Sequence, residues 1–175
     1  MLLEKQWFTL LTRSRFENIV TDMIKKKSIE VFLPTIRVRS RRKDRNLMIN
    51  APLFPGYLFV NISLDPREQL KVLKTTGAVR LLGSQQKPLP VPDTHIESLK
   101  IITRSGTDII TDSVTSVLKK GEPVLIINGP MAGATGEFMQ YKGKGRVIIR
   151  IEALGQFAGV EIDEADLEKL PPIFS

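Results

Sequence analysis

His95 is the only histidine in a 175-residue chain that has no cysteine. Those two facts remove most side-chain chemistry. The usual zinc ligands cannot be assembled, and there is no disulfide and no thiolate nucleophile. His95 stands beside an expected helix start, which predicts a surface position. No Ser/His/Asp set or pair of carboxylates is suggested by spacing. Gly143-Lys144-Gly145 lacks the length and the following helix of a phosphate-binding loop. The acids between 161 and 168 read as a solvated turn or tail. The chain is expected to be no enzyme and to carry no cofactor or metal.

Binding chemistry remains. Arg37, Arg39, Arg41, Arg42, Lys43 and Arg45 place six bases, with one acid, in nine positions. Arg37 and Arg39 alternate, so on a strand they share a face. Arginines clamp phosphates bidentately, which makes the run a nucleic-acid footprint. A solvated hairpin tip kept charged against aggregation is the alternative. Lys25-Lys26-Lys27 at a helix C-terminus reads as structural, since cations favour that end of the dipole.

Just beyond lies Pro52-Leu53-Phe54-Pro55-Gly56-Tyr57-Leu58-Phe59-Val60. Pro55 cannot donate to a sheet ladder, whereas a plain surface loop has no use for Leu53, Phe54, Tyr57 and Phe59 together. The run reads as a bulged edge strand on its own core, or as a strand that bends and leaves apolar side chains for a partner. The second reading predicts appreciable exposure of some of Leu53, Phe54 and Tyr57, or their cover by a second domain.

The elements that must hold these residues follow from periodicity. Residues 7–12 predict a buried strand. Ser14 and Glu17 have capping-box spacing, and Phe16, Ile19, Val20, Met23 and Ile24 give a helix over about 15–27. Ile29 to Val38 is a second strand, 39–50 a hairpin tip or loop, and 51–62 a third strand. Asp65-Pro66-Arg67-Glu68 starts a helix with Leu70 and Leu73 inward, which Gly77 ends. A strand over 78–82 follows, then a helix capped by Pro92-Asp93 carrying Ile96, Leu99 and Ile102. This is an α+β sandwich, helices over an antiparallel sheet. The Ser/Thr-rich residues 104–116 read as a linker. Short strands over 123–127, 136–141, 146–151 and 158–162, with glycine turns between, predict a small β-barrel. The domains are thus 1–103 and 117–175.

Charge divides the same way. The whole chain carries +7 at a pI near 9.8. Residues 1–103 hold 18 Lys+Arg against 9 Asp+Glu, and residues 104–175 hold 8 against 10. The first domain is the one suited to a polyanion. No apolar run is long enough to cross a bilayer, the start Met-Leu-Leu-Glu-Lys does not read as a signal peptide, and the lack of cysteine fits a cytoplasmic protein.

The chain resembles the NusG family of bacterial transcription elongation factors over nearly its whole length. The resemblance is carried by Trp7-Phe8 before the first helix and by Leu53-Phe54-Pro55-Gly56-Tyr57-Leu58-Phe59-Val60, which looks like the family's Phe-Pro-Gly-Tyr strand. Gly121-Glu122-Pro123-Val124 with Gly129, Pro130, Met131, Gly133 and Gly136 is similar to its KOW motif, and Leu154-Gly155 with Val160-Glu161-Ile162 resembles its closing strands. The resemblance implies a NusG-type amino-terminal (NGN) domain and an SH3-like KOW barrel, in a monomer. It implies docking on the clamp helices of RNA polymerase, with Trp7, Phe8, Leu53, Phe54 and Tyr57 forming that surface or its support. The basic hairpin would lie near the non-template DNA of the bubble, and the barrel would recruit a small-subunit ribosomal protein or the termination factor Rho. Met131 stands where the motif usually has phenylalanine, and Leu154 and Gln156-Phe157 stand where general members carry Phe-Gly-Arg. These departures look more like the specialised antiterminator paralogues of the RfaH, LoaP and UpxY types. Some of those fold the second domain as a helical hairpin, but Val147-Ile148-Ile149 and the many glycines favour the barrel. The alternatives are a general NusG with a Rho-linked role, and a ribosome-associated KOW RNA-binding protein. The net −2 of the second half disfavours the ribosomal one.

Overall fold

The structure is a computed structural model and describes residues 3–43, 46–84, 87–114 and 121–171. It divides into two compact units, Met1–Pro90 and Val91–Ser175.

The first unit contains β1 (Gln6–Thr12), α1 (Glu17–Lys26), β2 (Glu30–Phe32), β3 (Thr35–Arg39), β4 (Met48–Pro52), β5 (Tyr57–Ile62), α2 (Pro66–Leu73) and β6 (Ala78–Leu81), and the short β7 (Pro90–Val91) straddles its end. The main sheet runs β2-β5-β1-β6, with β7 also on β1. β1 and β5 are antiparallel, with Phe8 opposite Val60, Thr9 opposite Phe59, Leu10 opposite Leu58 and Leu11 opposite Tyr57. Strand alternation sorts these side chains onto two faces. Phe8, Leu10, Leu58, Val60 and Ile62 join Val20 and Ile24 of α1 and Val72 of α2 in one buried cluster. Burying each such side chain stabilises by about 1.5–3 kcal/mol.

Several expectations change here. The Ser14/Glu17 capping box does not form. Helix α1 starts at Glu17 after Phe16, with no side-chain cap bond, and Arg15 takes a left-handed φ of 66°. The Glu17 carboxylate is drawn to a tertiary partner instead. Ile19 is exposed. On α2 the inward residue is Val72, while Leu70 and Leu73 face outward. The cap at Asp65 holds, its carboxylate accepting from the Arg67 amide at 2.8 Å. The expected strand over Ile29–Val38 splits at Pro34, and β3 pairs only with β4 as a separate two-stranded ribbon. The expected strand over 51–62 breaks at a turn between β4 and β5.

The second unit contains α3 (Asp93–Arg104), β8 (Ile109–Ser113), β9 (Glu122–Ile126), β10 (Thr135–Tyr141), β11 (Lys144–Ile151), β12 (Gln156–Glu161) and β13 (Leu167–Lys169). Its strands form one sheet in the order β13-β9-β10-β11-β12-β8, the KOW-type β domain expected rather than a helical hairpin. Lys142 and Gly143, both at positive φ, turn β10 into β11, the backbone a tight hairpin needs. Ile96, Leu99 and Ile102 of α3 are buried as expected, but the Pro92-Asp93 cap makes no side-chain bond. The Ser98 hydroxyl accepts from the Thr135 amide at 2.9 Å. Within the expected linker, residues 109–113 are a strand paired along its length with β12. The Tyr141 hydroxyl donates to Asp112, and that bond, the Ser113 amide and nearby Lys142 hold the Asp112 carboxyl below its ordinary value. The acidic stretch after β12 is likewise no free tail, since β13 pairs with β9.

Candidate functional site

The break between β4 and β5 is a type II turn. The Tyr57 amide donates to the Phe54 carbonyl at 3.0 Å, Pro55 fills the second position, and Gly56 takes φ 87°. That is the conformation for which Pro then Gly is favoured. Three elements clamp it. The Leu53 amide donates to the Pro34 carbonyl at 2.8 Å, and the Thr12 amide donates to the Gly56 carbonyl at 2.8 Å. From the other side, the Gly56 amide donates to Glu17 Oε1 at 2.7 Å. Glu17, buried at the start of α1, therefore caps the turn rather than its own helix. Removing its carboxylate (Glu17→Ala) leaves a partly buried amide unpaired, at an expected cost of about 1–3 kcal/mol. Gly56→Ala has free space for its Cβ, so its cost is backbone strain alone, about 1–2 kcal/mol. Urea unfolding of both variants checks this, and wild-type midpoints would contradict it.

The residues singled out in the sequence separate by face and depth. Phe8 lies in the cluster under α1 and α2. Trp7 points to the other face of β1, the face that also carries Phe59 and Tyr57 by register. Phe54 sits edge-on to Phe59 at 6.5 Å between ring centroids, and Phe32 stacks on Phe59 at 6.2 Å. Trp7, Phe8, Leu53 and Phe54 are all buried. Of Leu53, Phe54 and Tyr57, only Tyr57 keeps part of its surface in solvent, beside an exposed Pro55. The two prolines and the glycine thus serve a turn that buries two of the apolar side chains and leaves the third half-open.

The basic run falls on the β3–β4 ribbon. Arg37 lies opposite Asn50, Arg39 opposite Met48, Ile36 opposite Ala51 and Val38 opposite Ile49. Directly opposed residues share a face, so one face carries Arg37, Arg39, Met48 and Asn50, and the other Ile36, Val38, Ile49 and Ala51. Arg37, Arg39, Arg41, Arg42 and Lys43 are all exposed. Among the described residues no carboxylate pairs with them. Arg45 lies outside the described residues. Asn50 went unnoticed in the sequence, although it alternates with Met48 as Arg37 does with Arg39.

In the second unit the KOW-like glycines have distinct reasons. Gly129 and Gly133 take φ 83° and 95°. Gly136 is held by space, because a Cβ there would come within 2.6 Å of the Ile148 carbonyl oxygen. Pro130 is exposed and Met131 is buried, so the methionine in place of phenylalanine is a packing residue. Among the described residues no group of acids and histidines could hold a metal ion, and no helix is long and apolar enough to cross a membrane.

A family model described as transcription termination factor NusG matches residues 5–100. The chain belongs to the NusG family. It is similar to the transcription termination/antitermination protein NusG of Bacillus subtilis (strain 168), 28% identical over 181 residues that cover 96% of this chain and 100% of that protein. The protein of the same name from Thermus thermophilus is 24% identical over 150 residues, 82% of each chain. A solved structure of Thermotoga maritima NusG has the same fold, with a TM-score of 0.53 at 21% identity over 96% of this chain and 98% of that one. NusG family proteins are transcription termination/antitermination factors.

Proposed function

We propose that this protein binds the clamp helices of RNA polymerase through a surface centred on Tyr57 and Pro55, and that it suppresses pausing and termination. Trp7, Leu53 and Phe54 act as the buried support of that surface, and Phe8 packs the core on the opposite face of the sheet. Tethering the clamp favours the active state by population shift, with no chemical step. The β3–β4 ribbon lies near the non-template DNA, and the KOW unit recruits a further factor, a small-subunit ribosomal protein or Rho. The protein works as a monomer in the cytoplasm, where the polymerase is. One observation carries the reading: the turn that presents Tyr57 is locked from β1, α1 and Pro34 just before β3 at once, which fixes a partly exposed aromatic for docking at little entropic cost.

Terminator read-through with purified polymerase tests it. Tyr57→Ala and Tyr57→Glu are expected to lose polymerase binding and read-through while unfolding near the wild-type midpoint. Normal binding by both variants would move the site elsewhere.

Met131, Leu154 and Gln156-Phe157 support service at particular operons rather than all. Two of these, Met131 and Phe157, are interior residues, so the difference reaches the KOW packing. The full-length likeness to the Bacillus subtilis protein favours instead a general factor with a Rho-linked role. Transcript profiles after gene deletion decide between them: one cluster altered, or most long operons.

A further inference from the structure

We propose that the β3–β4 ribbon reads base edges in the major groove of duplex DNA, with Arg37, Arg39, Asn50 and Met48 as the reading side chains. The inference rests on the reading of this ribbon as a nucleic-acid face, and it adds which nucleic acid and which atoms. Among the described residues the ribbon pairs with no third strand. Two strands lie about 4.8 Å apart, and a two-stranded ribbon is an element that the major groove, about 12 Å wide, admits.

The side chains on the arginine-bearing face match that groove. Arginine donates bidentately to guanine O6 and N7, asparagine pairs with adenine N6 and N7, and an apolar group packs on the thymine methyl. Here Asn50 stands opposite Arg37, and Met48 opposite Arg39. Met48 is 48% exposed although apolar, and a thymine methyl would cover it. Arg37 and Arg39 are two residues apart on one strand, a rise of about 6.7 Å. Two base-pair steps of about 3.4 Å span the same distance. Arg41, Arg42 and Lys43 at the tip are placed for phosphates, which position the ribbon without reading sequence.

Other nucleic acids fit less well. The major groove of A-form RNA is too deep and narrow for side chains to read. Single strands are gripped by stacking on aromatic side chains, and this face, with Thr35, Arg37, Arg39, Met48, Asn50 and Pro52, has none.

The test is selection by the full-length protein from three random libraries: duplex DNA, single-stranded DNA and duplex RNA. A short duplex DNA motif is expected, with guanines two steps apart and an adenine beside one of them. On the selected duplex, Arg37→Lys, Arg39→Lys and Asn50→Ala should each lower the preference over a scrambled duplex by about tenfold or more. Affinity for the scrambled duplex should stay within about twofold. Replacing Arg41 and Arg42 together by alanine should instead weaken both duplexes alike and flatten the salt dependence by about 2 in log–log slope. Enrichment only of single strands or RNA, no enrichment at all, or an unchanged preference in the lysine and alanine variants would overturn the inference. Polymerase binding without nucleic acid is measured on the same variants. Intact polymerase binding with no duplex motif sinks the ribbon inference alone, whereas a duplex motif without polymerase binding upholds it and sinks the clamp reading.

Discussion

Replacing Phe54 with alanine destabilises the first unit by about 3–5 kcal/mol, the range for truncating a fully buried aromatic. The ring is completely inaccessible and is packed edge-on against Phe59, which stacks in turn on Phe32. Truncation forfeits the transfer energy of the ring, leaves a cavity, and breaks an aromatic pair worth about 0.5–1.5 kcal/mol beyond its area. Most domains have only about 5–15 kcal/mol in total. The variant is therefore expected to lose polymerase binding by unfolding, not by losing a contact. Chemical denaturation followed by hydrogen exchange in β1 and β5 measures the loss. Phe54→Leu should recover more than half of it, while Tyr57→Ala changes stability by about 1 kcal/mol and yet abolishes docking. A Phe54→Ala protein within 1 kcal/mol of wild type would show that the ring is not part of the interior.

Glu137→Ala should cost the second unit about 3 kcal/mol, the lower end of the range for breaking a buried ion pair. Glu137 on β10 and Arg150 on β11 form a bidentate pair, with Nε to Oε2 at 2.9 Å and Nη2 to Oε1 at 3.0 Å. Both side chains are only 11% exposed. The same carboxylate accepts the Gly121 amide at 2.9 Å, so it also ties the start of β9 to the sheet. Its hydrogen bonds raise the Arg150 pKa above the ordinary arginine value, and the guanidinium, which proteins do not deprotonate, stays charged when its partner is gone. The nearby Glu152, which also favours the charged form, keeps the cost at the low end. Replacing both residues by methionine should restore part of the stability, because an apolar pair of similar length leaves no buried charge while the Gly121 amide stays unpaired. Hydrogen exchange at β10 and β11 in the full-length protein measures both variants. A double variant as unstable as the single one would mean that the pair's geometry, not its charge, holds the strands.

Much of this was legible because it is local. The α+β order, the buried stripe Ile96, Leu99 and Ile102, the Asp65 cap and the basic alternation at Arg37 and Arg39 each follow from spacing alone. The failures share a physical reason, which is competition from partners distant in sequence. Glu17 has capping-box spacing, but the Gly56 amide, 39 residues away, takes its carboxylate. Leu70 and Leu73 read as the inner face of α2, yet the turn of the helix that meets the sheet is set by Val72. Residues 109–113 have linker composition, and only the open edge of β12 makes them a strand. The apolar content of Leu53 and Phe54 signalled an unusual site, while their depth depended on how the Pro55-Gly56 turn was anchored.

The placement of α3 and β8 bears on modularity. Both belong to the second unit, and only Ser105–Asp108 separate them. Dissection at residue 104, where composition suggests a tether, would cut inside a folded body. A fragment starting there would take the Ser98 hydroxyl away from the Thr135 amide and the Ile101 side chain away from the backbone at Gly133. Swapping KOW modules between relatives at that position would transplant an unfinished part. A cut at residue 90 would keep the helix, the added strand and the barrel strands together.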